Sequence, residues 1–351
     1  VSAPTAIAAA LLAALLFGAS TPFAKLLASD MPPILLAGLL YLGSGLGLWL
    51  IRTLRDRGWS APGLGAREWP WLLGAIACGG VLGPILLMYG LSRTSASNAS
   101  LLLNLEAVFT ALLAWIVFGE NAGRRVVLGM ALIVGAGAML AWSPDAGFAH
   151  GGSGVLAIAG AGLCWGLDNN LTRKVAAADA IFVAAVKGLV AGITNCTLAI
   201  ALGARLPALP ALPLIGAAMT IGLLGYGLSL VLFVLALRGL GSARASAYFS
   251  TAPFLGAAIA VGAFRDPAPG LFWLAALLMA AGVWLHLIER HEHEHRHQAL
   301  AHAHPHVHDA HHQHEHDFPW DGSEPHAHPH VHAPLLHSHR HYPDLHHRHR
   351  H

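Results

Sequence analysis

A chain of 351 residues that is 55% hydrophobic and only 11% charged falls outside the ordinary soluble class, in which about a quarter of residues carry charge. The formal net charge of +2 names no partner and points to no nucleic acid, because the basic residues sit where they serve membrane topology. Charge is also segregated: nine of the eighteen acidic residues and 23 of the 25 histidines lie from Glu289 onward, leaving an apolar body followed by a polar tail.

The opening "AIAAALLAALLFGAS" has no basic segment before it and runs on into "TPFAKLL", so it reads as a retained membrane helix rather than a signal peptide. Crossing the hydrocarbon core takes about 20 apolar residues. Ten windows qualify, near 5–27, 34–53, 71–91, 96–118, 125–142, 153–174, 180–203, 212–237, 243–264 and 270–288. Prolines punctuate the breaks, as at Pro32-Pro33, Pro62, Pro144, Pro207 and Pro267. The windows lack period-two alternation, which sets aside barrel strands. Glycines four apart, Gly43/Gly47 and Gly188/Gly192, predict close helix packing. Cys78, Cys164 and Cys196 each lie inside an apolar window and read as small packing residues.

Orientation follows from the basic residues. With the N-terminus cytoplasmic, the inner loops hold Arg52, Arg55, Arg57, Arg67, Arg124, Arg125, Arg173, Lys174, Arg238 and Arg244, and the outer ends hold Lys25, Arg93, Arg205 and Arg265. Both termini are therefore expected on the cytoplasmic side of an inner (plasma) membrane.

The two halves resemble each other. "LLFGASTPFAKLL" aligns with "LCWGLDNNLTRKV" at an offset of 148, and "NASLLLNLEAVFTALLAWIVFGE" with "RASAYFSTAPFLGAAIAVGAFRD" at 146. Five crossings per half is odd, so the second half enters inverted, an architecture shared by many secondary transporters. The fold class expected is an all-α membrane protein of ten helices in two inverted five-helix repeats, 1–143 and 152–288, with a disordered histidine-rich tail over 289–351.

These motifs, the aromatic-Gly pair near the end of each half's first helix and "LEAVFTALLAWIVFGE" in the fourth, resemble the drug/metabolite transporter superfamily, EamA type. The resemblance implies a transporter of small metabolites and names no cargo. The chain departs from the family's Glu-Pro at Glu106-Ala107. Its second half keeps Pro253 but has Ala252 for the acid, and Arg265-Asp266 replaces the closing Gly-Glu kept at Gly119-Glu120.

Ionisable groups in a spanning helix cost about 2.5–3.5 kcal/mol each at its centre and are candidate functional residues. Glu106 lies on the order of 16 Å from either end of its window, with Asn104 nearby, and Asp168 lies roughly 9 Å in from the inner end of the sixth. Lys187 is at similar depth in the seventh, which predicts an Asp168–Lys187 ion pair. That pair either belongs to the site or only fixes packing, since buried pairs are weak evidence for either. Asn169 and Asn170 are expected to hydrogen-bond to adjacent helices or water, and Tyr248 and Trp165 to line the cavity or pack. Lys25, Arg173 and Lys174 read as interface anchors.

The tail has few large apolar residues and many prolines, so no regular structure is expected of it. Imidazole is a common ligand for zinc, nickel, cobalt and copper. His291, His293, His295, His297, His302, His304, His306, His308, His311, His312, His314 and His316 are the candidate ligands. Protonation near pH 6.5 offers a second reading, a pH-responsive polybasic tail.

No catalytic motif or phosphate loop occurs, so neither an enzyme nor a primary pump is expected, and no cofactor is required. The function expected is secondary transport, as an exporter, of a small polar metabolite across the bilayer, with divalent metal bound at the tail and a homodimer left open. Two alternatives stand beside it: a divalent-metal exporter, and a membrane-anchored metal buffer or sensor that does not transport.

Overall fold

A computed structural model describes residues 3–57, 63–118, 123–141, 147–175, 178–204, 212–240, 242–287, 291–297, 300–306, 326–332 and 335–341. The chain forms two units, Val1–Ile288 and Glu289–His351.

In the first unit every one of the ten expected windows is helical. The first half comprises α1 (Ala3–Leu27), α2 (Pro33–Asp56), a third crossing, a fourth crossing and α7 (Arg124–Ala141). The third crossing is composite: α3 (Trp69–Ala75), a π-helical segment (Ile76–Leu82) and α4 (Gly83–Arg93). The fourth is interrupted at Leu103-Asn104, between α5 (Ala96–Leu102) and α6 (Leu105–Phe118).

The second half repeats this plan. It runs through α8 (Gly147–Thr172), α9 (Ala180–Ala201), α10 (Leu212–Gly222), a second π segment (Leu223–Leu228) and α11 (Ser229–Leu240). It closes with α12 (Ser242–Phe249), α13 (Ala252–Phe264) and α14 (Gly270–Leu287). Proline stands where the first turn of a helix tolerates it, opening α2 at Pro33 and sitting early in α4 and α13 at Pro84 and Pro253.

Eight helical stretches among the described residues are long and apolar enough to cross a membrane. Large apolar side chains such as Ile116, Leu277 and Trp284 also stand exposed on the body. A soluble fold would not tolerate so much apolar surface, and a lipid-facing one requires it.

The halves interleave. Helices α4 and α6 pack on α8, and their counterparts α11 and α13 pack on α1, so each half's third and fourth crossings lie against the other half's first helix. The second helices α2 and α9 pack along each other, as do the fifth helices α7 and α14. At the α2–α9 seam a Cβ on Gly188 would lie 2.7 Å from the Gly45 Cα, so no larger residue fits without parting the helices. Asp266 ties the halves at one end, where its Oδ2 accepts from the Ser97 N–H at 2.9 Å. The residue that departs from the repeat pattern thus caps the start of α5.

In the second unit the structure describes four strands, β1 (His291–His297), β2 (Leu300–His306), β3 (His326–His332) and β4 (Leu335–His341). β1 pairs antiparallel with β4, and β2 with β3. Over these residues the expectation of irregular structure does not hold. Alternating His-x-His has the two-residue period of a strand, a signal that composition alone hides. His308, His311, His312, His314 and His316 lie outside the described residues.

Candidate functional site

The break in the fourth crossing positions the central carboxylate. Glu106 falls in the first turn of α6, where the helix dipole favours negative charge. Asn104, in the break itself, donates from Nδ2 to the Leu101 carbonyl at 2.8 Å and lies 3.8 Å from Met279 Sδ. It closes the end of α5, and its amide turns to Leu101 and Met279 rather than to Glu106. Helix α6 approaches α8 over two small residues: a Cβ on Gly166 would meet the Thr110 amide nitrogen at 3.0 Å. That proximity lets Asn169 Nδ2 reach Glu106 Oε1 at 2.9 Å and Thr110 Oγ1 at 3.4 Å.

The neighbouring residues on α8 fan out, about 100° apart on a helix. Asp168 is buried and turns to α9, where the Lys187 ammonium donates to its Oδ2. Thr172, one turn on, donates its hydroxyl to Asp168 Oδ1 at 2.9 Å. Asn170 Nδ2 donates back to the Gly166 carbonyl at 2.8 Å, while its Oδ1 is buried without a hydrogen-bond partner. "DNN" on an apolar helix is therefore accounted for by three destinations: a cation on α9, the carboxylate of α6, and the helix's own backbone.

Five of the seven candidates thus gather on α6, α8 and α9: Glu106, Asp168, Asn169, Asn170 and Lys187. Asn104 serves the helix break. Tyr248 packs in a separate cluster with Ala9, Ala10 and Ala236.

Sequence reasoning missed Thr110 and Thr172, which look like ordinary helix residues until neighbouring helices are placed. It also missed the role of Tyr41. The Tyr41 hydroxyl and the Trp165 indole N–H each donate to the Gly79 carbonyl at 2.9 Å. Among the described residues no group of three or more His, Cys, Asp or Glu is gathered to hold a metal.

A second charged cluster joins the end of α2 to the start of α9. Asp179 accepts from the amides of Ile181 and Phe182 at 2.8 and 3.0 Å, capping α9, and from Arg55 Nη2 at 2.5 Å. Burial opposes ionisation of Asp179, but the Arg55 guanidinium and these amides outweigh it and hold the carboxyl below its ordinary range. Arg52 lies 3.7 Å from both Asp56 and Asp179 and stacks over the Phe182 ring at 5.1 Å.

Ten apolar crossings in interleaved halves, with a polar cluster where the fourth crossing breaks, define a multi-pass membrane protein of the transporter class. The particular family follows from comparison. A model of the EamA-like transporter family matches twice, over residues 4–142 and 152–288. The chain belongs to that family, and with it to the drug/metabolite transporter superfamily.

An uncharacterized transporter of Methanothermobacter thermautotrophicus is 27% identical over 287 residues, covering 78% of this chain and 83% of the relative. A solved crystal structure, described only as that of a protein, shares the fold at TM-score 0.59 and 20% identity, covering 81% of this chain and 96% of the other.

Proposed function

We propose that the chain is a secondary transporter that exports a small polar metabolite by alternating access, with Glu106 and Asn169 as the centre of its binding site. The observation that carries this reading is the Glu106–Asn169 contact at the break of a membrane helix, beside the Asp168–Lys187 pair. A carboxylate held by a neutral amide can exchange that partner for a substrate ammonium or a proton without leaving a buried cation behind. Asp168, by contrast, already has its cation, so it and Lys187 position α8 against α9 and flank the site. Broken helices at the meeting of inverted halves are where secondary transporters bind their cargo.

The body sits in the inner membrane with both termini cytoplasmic, on the basic-residue asymmetry. The tail binds zinc, nickel, cobalt or copper through its alternating imidazoles, on ligand density in the sequence. A growth screen of a deletion strain across amino acids, toxic analogues and metals tests the reading. Hypersensitivity to one polar metabolite class, complemented by the wild-type chain and not by Glu106→Gln, is expected. Hypersensitivity to metals alone, complemented equally by both, would replace it with the metal-exporter or metal-buffer reading.

A further inference from the structure

The two π-helical segments begin 147 residues apart, at Ile76 and Leu223, so each occupies the same place in its half. Neither is explained by the site above. A π turn is rare and occurs frequently at functional sites. Both are glycine-rich, "IACGGVL" and "LLGYGL", and both lie on the seam between halves. The first packs on α8 and α9, and the second on α1 and α2.

The first segment is fastened from outside itself. Its Gly79 carbonyl takes the Tyr41 hydroxyl and the Trp165 indole N–H, and its Gly80 carbonyl takes Asn195 Nδ2 at 3.2 Å. The donors come from α2, α8 and α9, so three helices hold carbonyls on one wide turn. In the second segment the Gly225 carbonyl takes a hydroxyl from its own helix, that of Ser229. Tyr226 of the second segment is linked to the first through α2: its ring stacks on that of Tyr41, the donor to Gly79, with centroids 5.5 Å apart, and Phe17 of α1 meets it edge-on at 6.0 Å. Gly79 has no side chain because the Asp168 carboxylate lies where a Cβ would be. A change of pitch in this segment is therefore felt at once by the charged pair.

We propose that the two π segments are the joints at which the halves flex, and that Tyr41 and Trp165 are positioning residues that hold the first joint in its wide form. The proposal rests on the alternating-access reading above. A π bulge is one residue more than the α-helix it interrupts. Deleting Val81 should let the ladder close as regular helix while both flanks keep their packing.

The test uses the full-length chain with Cys164→Ser and Cys196→Ser, leaving Cys78, which is half-buried within the first π segment, as the reporter. Membrane-impermeant maleimide is applied to oriented vesicles from either face. The parent chain should label from both faces. The Val81 deletion should fold, melt no lower than the parent, and label from one face at least tenfold faster than from the other. Two-sided labelling of the folded deletion would overturn the joints, whereas one-sided labelling of the parent would overturn the transport reading itself.

A second arm does not depend on the deletion folding. Tyr41→Phe removes one bond to Gly79, and hydrogen exchange over residues 76–82 should speed up by about two- to tenfold, the equivalent of one net hydrogen bond. Exchange there unchanged from the parent would refute the positioning role.

Discussion

Replacing Lys187 with methionine takes the cation from Asp168 and leaves the Thr172 hydroxyl, 2.9 Å away, as a neutral donor. The side chains of the pair are 19% and 7% exposed, Lys187 the more open. Breaking a buried pair from one side costs about 3–5 kcal/mol, because the survivor is left charged and unpaired. The partial exposure of Lys187 puts this case near the lower end, about 3 kcal/mol. A unit of this size loses about 2 °C per kcal/mol, so the apparent melting temperature in detergent should fall by about 6 °C.

Asp168→Asn alone should destabilise comparably by stranding the ammonium. The double variant Asp168→Asn, Lys187→Met removes both charges and keeps an acceptor for Thr172. It should therefore recover all but about 1 kcal/mol, a coupling of about 5 kcal/mol, which exceeds the usual range of about 0.5–3 kcal/mol for touching residues because each single variant strands a buried charge. The assay is thermal unfolding of the four purified proteins, followed by size-exclusion fluorescence. Single-variant losses that simply add in the double would refute the pairing as an energetic unit.

Asp179→Ala should remove both the cap of α9 and the Arg55 contact, costing about 0.5–2 kcal/mol for the cap alone, measurable in the same melts. Because its folded pKa is depressed, Asp179 contributes stability that is complete above its ordinary value of 3.8 and is lost as pH falls through the lower folded value. The wild-type advantage over Asp179→Ala should therefore shrink only below about pH 4, and a loss already at pH 6 would contradict the assignment. Full-length protein should bind several zinc or nickel ions at pH 7.5 by calorimetry, markedly fewer at pH 5.5 as imidazoles charge, and few after truncation at Glu289. Equal uptake by the truncated chain would contradict the tail assignment. Reporter fusions at Arg290 should be active only as cytoplasmic reporters, and periplasmic activity would invert the topology.

The crossings were legible because each is a long apolar window, and several are bounded by proline. The halves were legible because Phe17-Gly18 and Trp165-Gly166 sit at matching places. The Asp168–Lys187 contact followed from depth alone, since a short loop forces α8 and α9 to run antiparallel from the same membrane face. The interruptions were not legible. Leu103-Asn104 and the π segments lie in largely apolar windows with no clear amphipathic period for a break to disturb. The partner of Glu106 was hidden for a related reason. Which face of α8 meets α6 is set by how closely two backbones approach at Gly162 and Gly166, and a glycine does not announce its neighbour. In the tail, composition argued for irregular chain while the strict alternation argued for strand, and pairing between distant segments such as His293 and His339 has no local signature.

Counterflow in proteoliposomes tests the central claim most directly. Purified wild-type chain and Glu106→Gln, matched for folded yield, are loaded with a panel of polar metabolites and assayed for exchange of labelled solute. The account predicts saturable exchange of one chemical class by the wild type, and exchange at least a hundredfold slower in Glu106→Gln, corresponding to about 3 kcal/mol. Unimpaired exchange by Glu106→Gln would contradict it.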